Sequence, residues 1–139
     1  MNTTLLWPMI AMVALTVLVW LRMYYVRIGE MRRRRIDPQS VDTSRRGAGV
    51  LEEVAAADNL KNLLELPVLF YAACLTASMA AVITPLLHGL AWAFVGLRIA
   101  HSLIHVSYNR VMHRFVVYVL GALSVFAMWG LLAIELLSR

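Results

Sequence analysis

The sequence predicts an all-α integral membrane protein whose four transmembrane helices pack as an antiparallel bundle. Of its 139 residues, 61% are hydrophobic, and the mean hydropathy is +0.72, which is too apolar for a water-soluble domain of this size. Only short links separate the last three apolar stretches, so one bundle is the expected packing. Each of four stretches has the roughly 17–25 mainly apolar residues that cross a bilayer: Leu5–Met23, Glu65–Thr84, Leu86–Val106 and Phe115–Leu136.

We expect a single membrane domain over residues 1–139, with helices over about 5–36, 50–84, 86–108 and 115–137. The first helix is expected to be retained, because no basic residue precedes its apolar run as it would in a signal peptide. Asp37-Pro38 predicts a break after this helix, since proline lacks an amide donor and restricts the residue before it. Gly121 predicts close helix contact in the fourth helix.

The distribution of basic residues predicts the orientation. Arg110 and Arg114 lie between the third and fourth helices, whereas the link around Pro85 and His88 has neither Lys nor Arg. The positive-inside rule therefore places the first and third links in the cytoplasm and both termini on the other side of the inner (plasma) membrane. Nine basic residues lie between the first and second helices: Arg22, Arg27, Arg32, Arg33, Arg34, Arg35, Arg45, Arg46 and Lys61.

The run Arg32–Arg35 beside a membrane helix is typical of contact with anionic lipid headgroups rather than with nucleic acid. The expected partners are therefore membrane lipids. The lone cysteine, Cys74, excludes a disulfide framework and is expected to be a small buried apolar side chain.

Two polar stripes interrupt the apolar helices. Arg98, His101, His105 and Asn109 fall at i, i+3, i+7 and i+11 of the third helix, a spacing that places them on one face. Asp58, Lys61, Asn62 and Glu65 form a similar stripe on the second helix. We expect the stripes to face each other or a neighbouring subunit, with Arg98 buried and paired with Glu65, directly or through His101 or water.

His101 and His105, at i and i+4, are spaced like metal ligands. The sequence offers no third ligand at a suitable spacing, so we expect no metal site.

Two segments carry a resemblance: NLLELP, Asn62–Pro67, and RIAHSLIHVSYNRVMHR, Arg98–Arg114. Together with the basic first link they resemble the MAPEG family, the membrane-associated proteins in eicosanoid and glutathione metabolism. The resemblance implies a homotrimer that binds glutathione between adjacent subunits. It also implies an arginine that stabilises the glutathione thiolate, which attacks or reduces a lipophilic small molecule.

Matched by position, the resemblance implies that Arg114 is the thiolate-activating, catalytic residue. His105 and Arg110 complete the candidate glutathione-binding residues. The other contacts that the resemblance implies are Arg32, Lys61, Asn62, Glu65, Arg98, His101 and Tyr118.

Two functions stay open. The first is a glutathione-dependent transferase or peroxidase acting on lipophilic electrophiles. The second is a non-catalytic lipid-binding or scaffold protein of the same fold, in which Glu65 and Arg98 only fix helix register and Arg110 and Arg114 only anchor the chain at headgroups. A small transporter is disfavoured, because the sequence has no internal repeat. Four departures from the family pattern favour the scaffold: Asp58, Leu66, His105 and Phe115.

The predicted orientation is testable with single cysteines at Ser40 and His88 in a variant lacking Cys74. A membrane-impermeant maleimide added to intact cells should label position 88, and should label position 40 only after permeabilisation. Labelling of position 40 in intact cells would contradict the orientation.

Overall fold

The computed structural model describes residues 3–41, 50–51 and 55–138. In this part of the chain there are four long helices and no strands: α1, Leu6–Arg34; α2, Ala55–Met79; α3, Pro85–Val106; and α4, Val111–Leu137. All four are long and apolar enough to cross a membrane. The predicted all-α membrane fold is confirmed, and the chain is a multi-pass integral membrane protein.

The first helix ends close to its predicted boundary. Arg35 adopts a left-handed conformation with φ of 51°, and its amide donates to the carbonyl oxygens of Met31 and Arg32, which satisfies the last turn of α1. A short 3-10 helix, Pro38–Val41, follows the predicted break. Arg34 Nη1 donates to the carbonyl of Val50 at 2.9 Å, so the chain re-enters the bundle beside the end of α1. Arg45 and Arg46 lie outside the described residues.

The other boundaries differ from those predicted. The second helix ends at Met79 rather than near residue 84, because Ala81 turns left-handed with φ of 53°. Thr84 then caps α3, its hydroxyl accepting from the Leu87 amide at 3.1 Å. The predicted start of the second helix near residue 50 borders residues 52–54, which are outside the described part.

The link between α3 and α4 is shorter than predicted, since α4 begins at Val111 rather than near residue 115. Asn109 has φ of 47°, and its amide donates to the carbonyl of Ile104 at 2.9 Å. Asn109 therefore closes the third helix instead of extending its stripe, and Arg114 lies on the first turn of α4 instead of in a link.

The central pair of the bundle is α2 and α3. Both pack against α1 on one side and against α4 on the other. Phe70 of α2 stacks on Phe94 of α3 with 4.7 Å between ring centroids, and both rings are fully buried. We call the end of the bundle where α1 and α3 finish and α2 and α4 begin the basic end, because it carries Arg32–Arg35 and Arg110.

A buried hydrogen bond also joins the central pair. Ser102 Oγ donates to Asn59 Oδ1 at 3.2 Å, and the two side chains are 4% and 1% exposed. Neither residue belongs to the polar stripes predicted from the sequence. Asn59, Leu63 and Leu66 form the inward face of α2, one residue out of step with the predicted polar stripe.

Removing this bond should weaken the bundle measurably. Ser102→Ala leaves Asn59 Oδ1 without its donor, and interhelical hydrogen bonds in membranes contribute about 0.6 kcal/mol on average and up to about 1.7. Ser124→Ala is the matched control, because that hydroxyl donates only within α4, to Leu120 at 3.0 Å. Unfolding by increasing detergent denaturant should separate the two variants; equal midpoints would assign the bond no stabilising role.

Candidate functional site

The largest fully buried side chain among the described residues is Arg98, at 1% exposed. Its guanidinium carbon lies 5.1 Å from the centroid of Phe94 and 4.8 Å from that of Tyr118. Both distances are within the ~6 Å range of a cation–π contact. The predicted burial is confirmed, and the partners are two aromatic faces on α3 and α4.

The direct ion pair predicted between Arg98 and Glu65 does not form among the described residues, and a pairing through water or with a neighbouring subunit stays a prediction. Glu65 is exposed, and it acts on Arg98 electrostatically without a hydrogen bond or ion pair. The reason is the rotation of α2: Asn59, Leu63 and Leu66 occupy the inward face. The polar stripe of Asp58, Lys61, Asn62 and Glu65 is exposed or half-buried and makes no hydrogen bond or ion pair with the α3 stripe among the described residues, although Asp58 and Glu65 act electrostatically on His105 and Arg98.

Gly121 makes room for the guanidinium. A Cβ at this position would lie 3.3 Å from Arg98 Nη2 and 3.5 Å from Nε. Gly121 is buried on α4, one turn after Tyr118. The close helix contact predicted for Gly121 is thus a contact with an arginine side chain.

Two histidines continue the same face of α3 toward the basic end. His101 and His105 are each 4% exposed, with 5.6 Å between ring centroids. His101 Nδ1 lies 3.2 Å from the carbonyl oxygen of Arg114. Because a carbonyl only accepts, this geometry assigns the Nδ1 proton to His101.

Arg114 connects α4 to the end of α3. Its Nη1 donates to Asn109 Oδ1 at 2.6 Å and lies 3.4 Å from His105 Nδ1. A guanidinium only donates, so Nδ1 is the acceptor in the neutral His105 ring. These contacts connect Arg114 to the end of α3 across the short link. Arg114 is half-buried and lies at the basic end of the bundle.

We define the α3–α4 cluster as Arg98, His101, His105, Arg114 and Tyr118. Both guanidiniums stay charged at any physiological pH. The unpaired nitrogens of the two guanidiniums are donors and favour an anionic group, whereas His101 Nε2 is an acceptor in the neutral ring. Five buried nitrogen atoms of the cluster have no hydrogen-bond partner among the described residues: Arg98 Nη1 and Nη2, His101 Nε2, His105 Nε2 and Arg114 Nε.

The other predicted site residues lie outside this cluster. Lys61 and Glu65 are exposed on α2, and Asn62 is half-buried there. Arg32 and Arg110 are exposed at the basic end. Tyr118, by contrast, belongs to the cluster, where its ring lies against that of His101. No group of three metal-ligand side chains occurs in the described part of the chain.

Sequence reasoning missed Phe94 as a partner of the buried arginine. The signal was present, because Phe94 precedes Arg98 by four residues and so lies on the same helical face. The role of Phe94 was not recognised because α3 is apolar, and a phenylalanine in an apolar helix contacts lipid as readily as it contacts a cation.

The tight fit at Gly121 leads to a stability prediction. Gly121→Ala must displace an arginine held between two rings, and overpacking of this kind costs about 1–3 kcal/mol. Gly130→Ala on the same helix meets no atom within 4 Å and should be neutral or slightly stabilising, because alanine is the better helix former. Detergent-denaturant unfolding should rank Gly121→Ala clearly below wild type; equal stability of the two variants would contradict the packing.

The comparisons with known proteins bear on the whole chain. No curated protein and no solved structure matches it significantly. The family model described as the MAPEG family matches residues 5–134, which covers all four helices. This family includes glutathione transferases and related proteins and is associated with glutathione use. The match agrees with the resemblance carried by Asn62–Pro67 and Arg98–Arg114, and the chain belongs to the MAPEG family.

Proposed function

We propose that this protein is a glutathione-dependent transferase or peroxidase acting on lipophilic electrophiles. The observation that carries the proposal is the α3–α4 cluster, in which five buried nitrogen atoms have no partner in the described part of the chain. An anion is the chemical group that best satisfies two charged guanidiniums held in a low-dielectric site. Glutathione supplies two carboxylates and an ionisable thiol.

The residues of the cluster fit glutathione in separate roles. Arg98, on the deeper part of α3, is the donor suited to a carboxylate, whereas the neighbouring His101 presents Nε2 as an acceptor. Arg114, on the first turn of α4, is the cation suited to the thiol, because a fixed positive charge lowers the free energy of a nearby thiolate. Glutathione, when bound, supplies the nucleophilic or reducing sulfur. The chain supplies its orientation and the charge that keeps it ionised.

A neighbouring copy would complete the site. The α2 stripe of Lys61, Asn62 and Glu65 is turned outward, as is Arg32 at the end of α1. Among the described residues they make no hydrogen bond or ion pair with the α3–α4 cluster of the same chain. A homotrimer, with the basic end in the cytoplasm, would allow the outward stripe of one chain to meet the cluster of the next.

The competing function is a lipid-binding or scaffold protein without catalysis. The observation in its favour is Asp58, whose carboxylate acts electrostatically on His105 together with Arg22. A negative charge beside the cluster opposes an anionic ligand. Phe115, exposed beside Arg114, adds no donor where the family resemblance implies a serine.

Glutathione binding itself can be measured as stabilisation of the purified protein. A ligand that binds only the folded state at about 100 times its Kd adds about 2.7 kcal/mol of stability. Glutathione should therefore raise the unfolding midpoint of wild type. It should raise the midpoint of Asn62→Ala less, because that variant loses a binding contact. No shift in wild type at millimolar glutathione would favour the scaffold.

The role of Arg114 is tested by separating turnover from affinity. Arg114→Ala should lower kcat with a halogenated nitrobenzene on the order of 10²-fold, the effect of losing one preorganised charge-stabilising donor, while glutathione affinity changes less. The ultraviolet absorbance of bound thiolate should fall with it. Arg33→Ala, at an exposed position of α1, controls for the loss of one basic charge. Unchanged turnover in Arg114→Ala would remove Arg114 from the catalytic role.

A further inference from the structure

An apolar groove separates α1 from α3 on the outside of the bundle. Its volume is about 350 Å³, and Leu15 and Val19 of α1 face Ile99 and Leu103 of α3 across it. This volume falls within the range of about 300–1,000 Å³ that small-molecule sites occupy. The charged residue of its wall is Arg22.

The groove has a polar end and an apolar body. Arg22 makes no hydrogen bond or ion pair with the described residues, whose one ion pair is Arg34–Glu30. Arg22 is half-buried at the end of the groove nearer the basic end, and the wall extends away from it to Ala11. The unpartnered cation therefore favours a ligand with an anionic head and an apolar tail.

The level of Arg22 in the membrane is marked by aromatic side chains. Trp20 and Tyr24 are exposed and pack edge to face with 4.7 Å between centroids. Exposed Tyr25 follows them. Tryptophan and tyrosine concentrate at the boundary between headgroups and hydrocarbon, which puts Arg22 at headgroup depth.

The length of the groove matches one leaflet. Eleven residues of α1 separate Ala11 from Arg22, a rise of ~16 Å at 1.5 Å per residue. The hydrocarbon core of a bilayer is about 30 Å thick, so each leaflet contributes about 15 Å. A groove that starts at headgroup depth and ends near the midplane has the dimensions of a phospholipid acyl chain standing in its leaflet.

We infer that the α1–α3 groove is a binding site for an anionic phospholipid, with its headgroup on Arg22 and one acyl chain between Leu15, Val19 and Leu103. The groove shares no lining residue with the α3–α4 cluster. It requires neither glutathione nor turnover, so it stands or falls independently of the proposed function.

The test is lipid retention by the full-length protein. Wild type is reconstituted in vesicles of equimolar phosphatidylglycerol and phosphatidylcholine, extracted again in mild detergent, and weighed by native mass spectrometry. Wild type should retain phosphatidylglycerol in preference to phosphatidylcholine. Arg22→Gln should reduce that preference about fivefold, the effect of losing one basic residue worth about 1 kcal/mol near a charged surface.

Two matched controls make the test specific to the groove. Arg33→Gln removes an exposed arginine of the same helix outside the groove and should keep the preference. Leu103→Trp fills the groove from its 63%-exposed rim and should abolish retention, whereas Leu86→Trp, at a 59%-exposed position of α3 outside the groove, should not.

Three results would overturn the inference. The first is equal retention of the two lipids by wild type. The second is an equal effect of Arg22→Gln and Arg33→Gln. The third is efficient disulfide crosslinking of Leu18→Cys between two copies, since it would mean that a second chain covers the groove instead of a lipid.

Discussion

A guanidinium buried inside a membrane-length bundle is the constraint on which the rest of the structure depends. An isolated charge at membrane depth costs at least several kcal/mol, and Arg98 has no carboxylate within ion-pair distance among the residues that the structure describes. Two aromatic faces from α3 and α4 offset part of that cost. This solution dictates a glycine at position 121 and a close approach of the two helices. It leaves the terminal nitrogens of Arg98 without a hydrogen-bond partner among the described residues.

Much of this could be predicted from the sequence, because its signals are local. The 3.6-residue period placed Arg98, His101 and His105 on one face, and apolar run lengths predicted four spans. The buried arginine and the contact at Gly121 followed from the cost of charge in lipid and from the small size of glycine. These inferences need only one helix and the properties of its surroundings.

The rotation of α2 could not be predicted in the same way. Two stripes of nearly the same period run along α2, and their positions differ by one residue. One extends from Asp58 to Glu65, and the other passes through Asn59, Leu63 and Leu66. Choosing between them requires the packing of Phe70 against Phe94, which is a long-range contact. The length of the α3–α4 link was missed because a left-handed asparagine ends a helix less often than glycine does, so Asn109 was not recognised as the end of α3. Consequently Arg114 was expected in a loop and lies on a helix.

Asn109 has two structural roles, one for its backbone and one for its side chain. Its backbone occupies the left-handed region, which asparagine and aspartate tolerate better than other residues with a Cβ, and its amide oxygen accepts from Arg114 at 2.6 Å. The same residue therefore fixes both the turn and the orientation of the Arg114 guanidinium. If the link straightened and α3 became longer, Asn109 Oδ1 would move away from Arg114 Nη1. The orientation of the Arg114 side chain therefore depends on the conformation of this turn. Glycine at 109 would keep the bend and free the arginine, whereas glutamine would offer an amide at the cost of the bend.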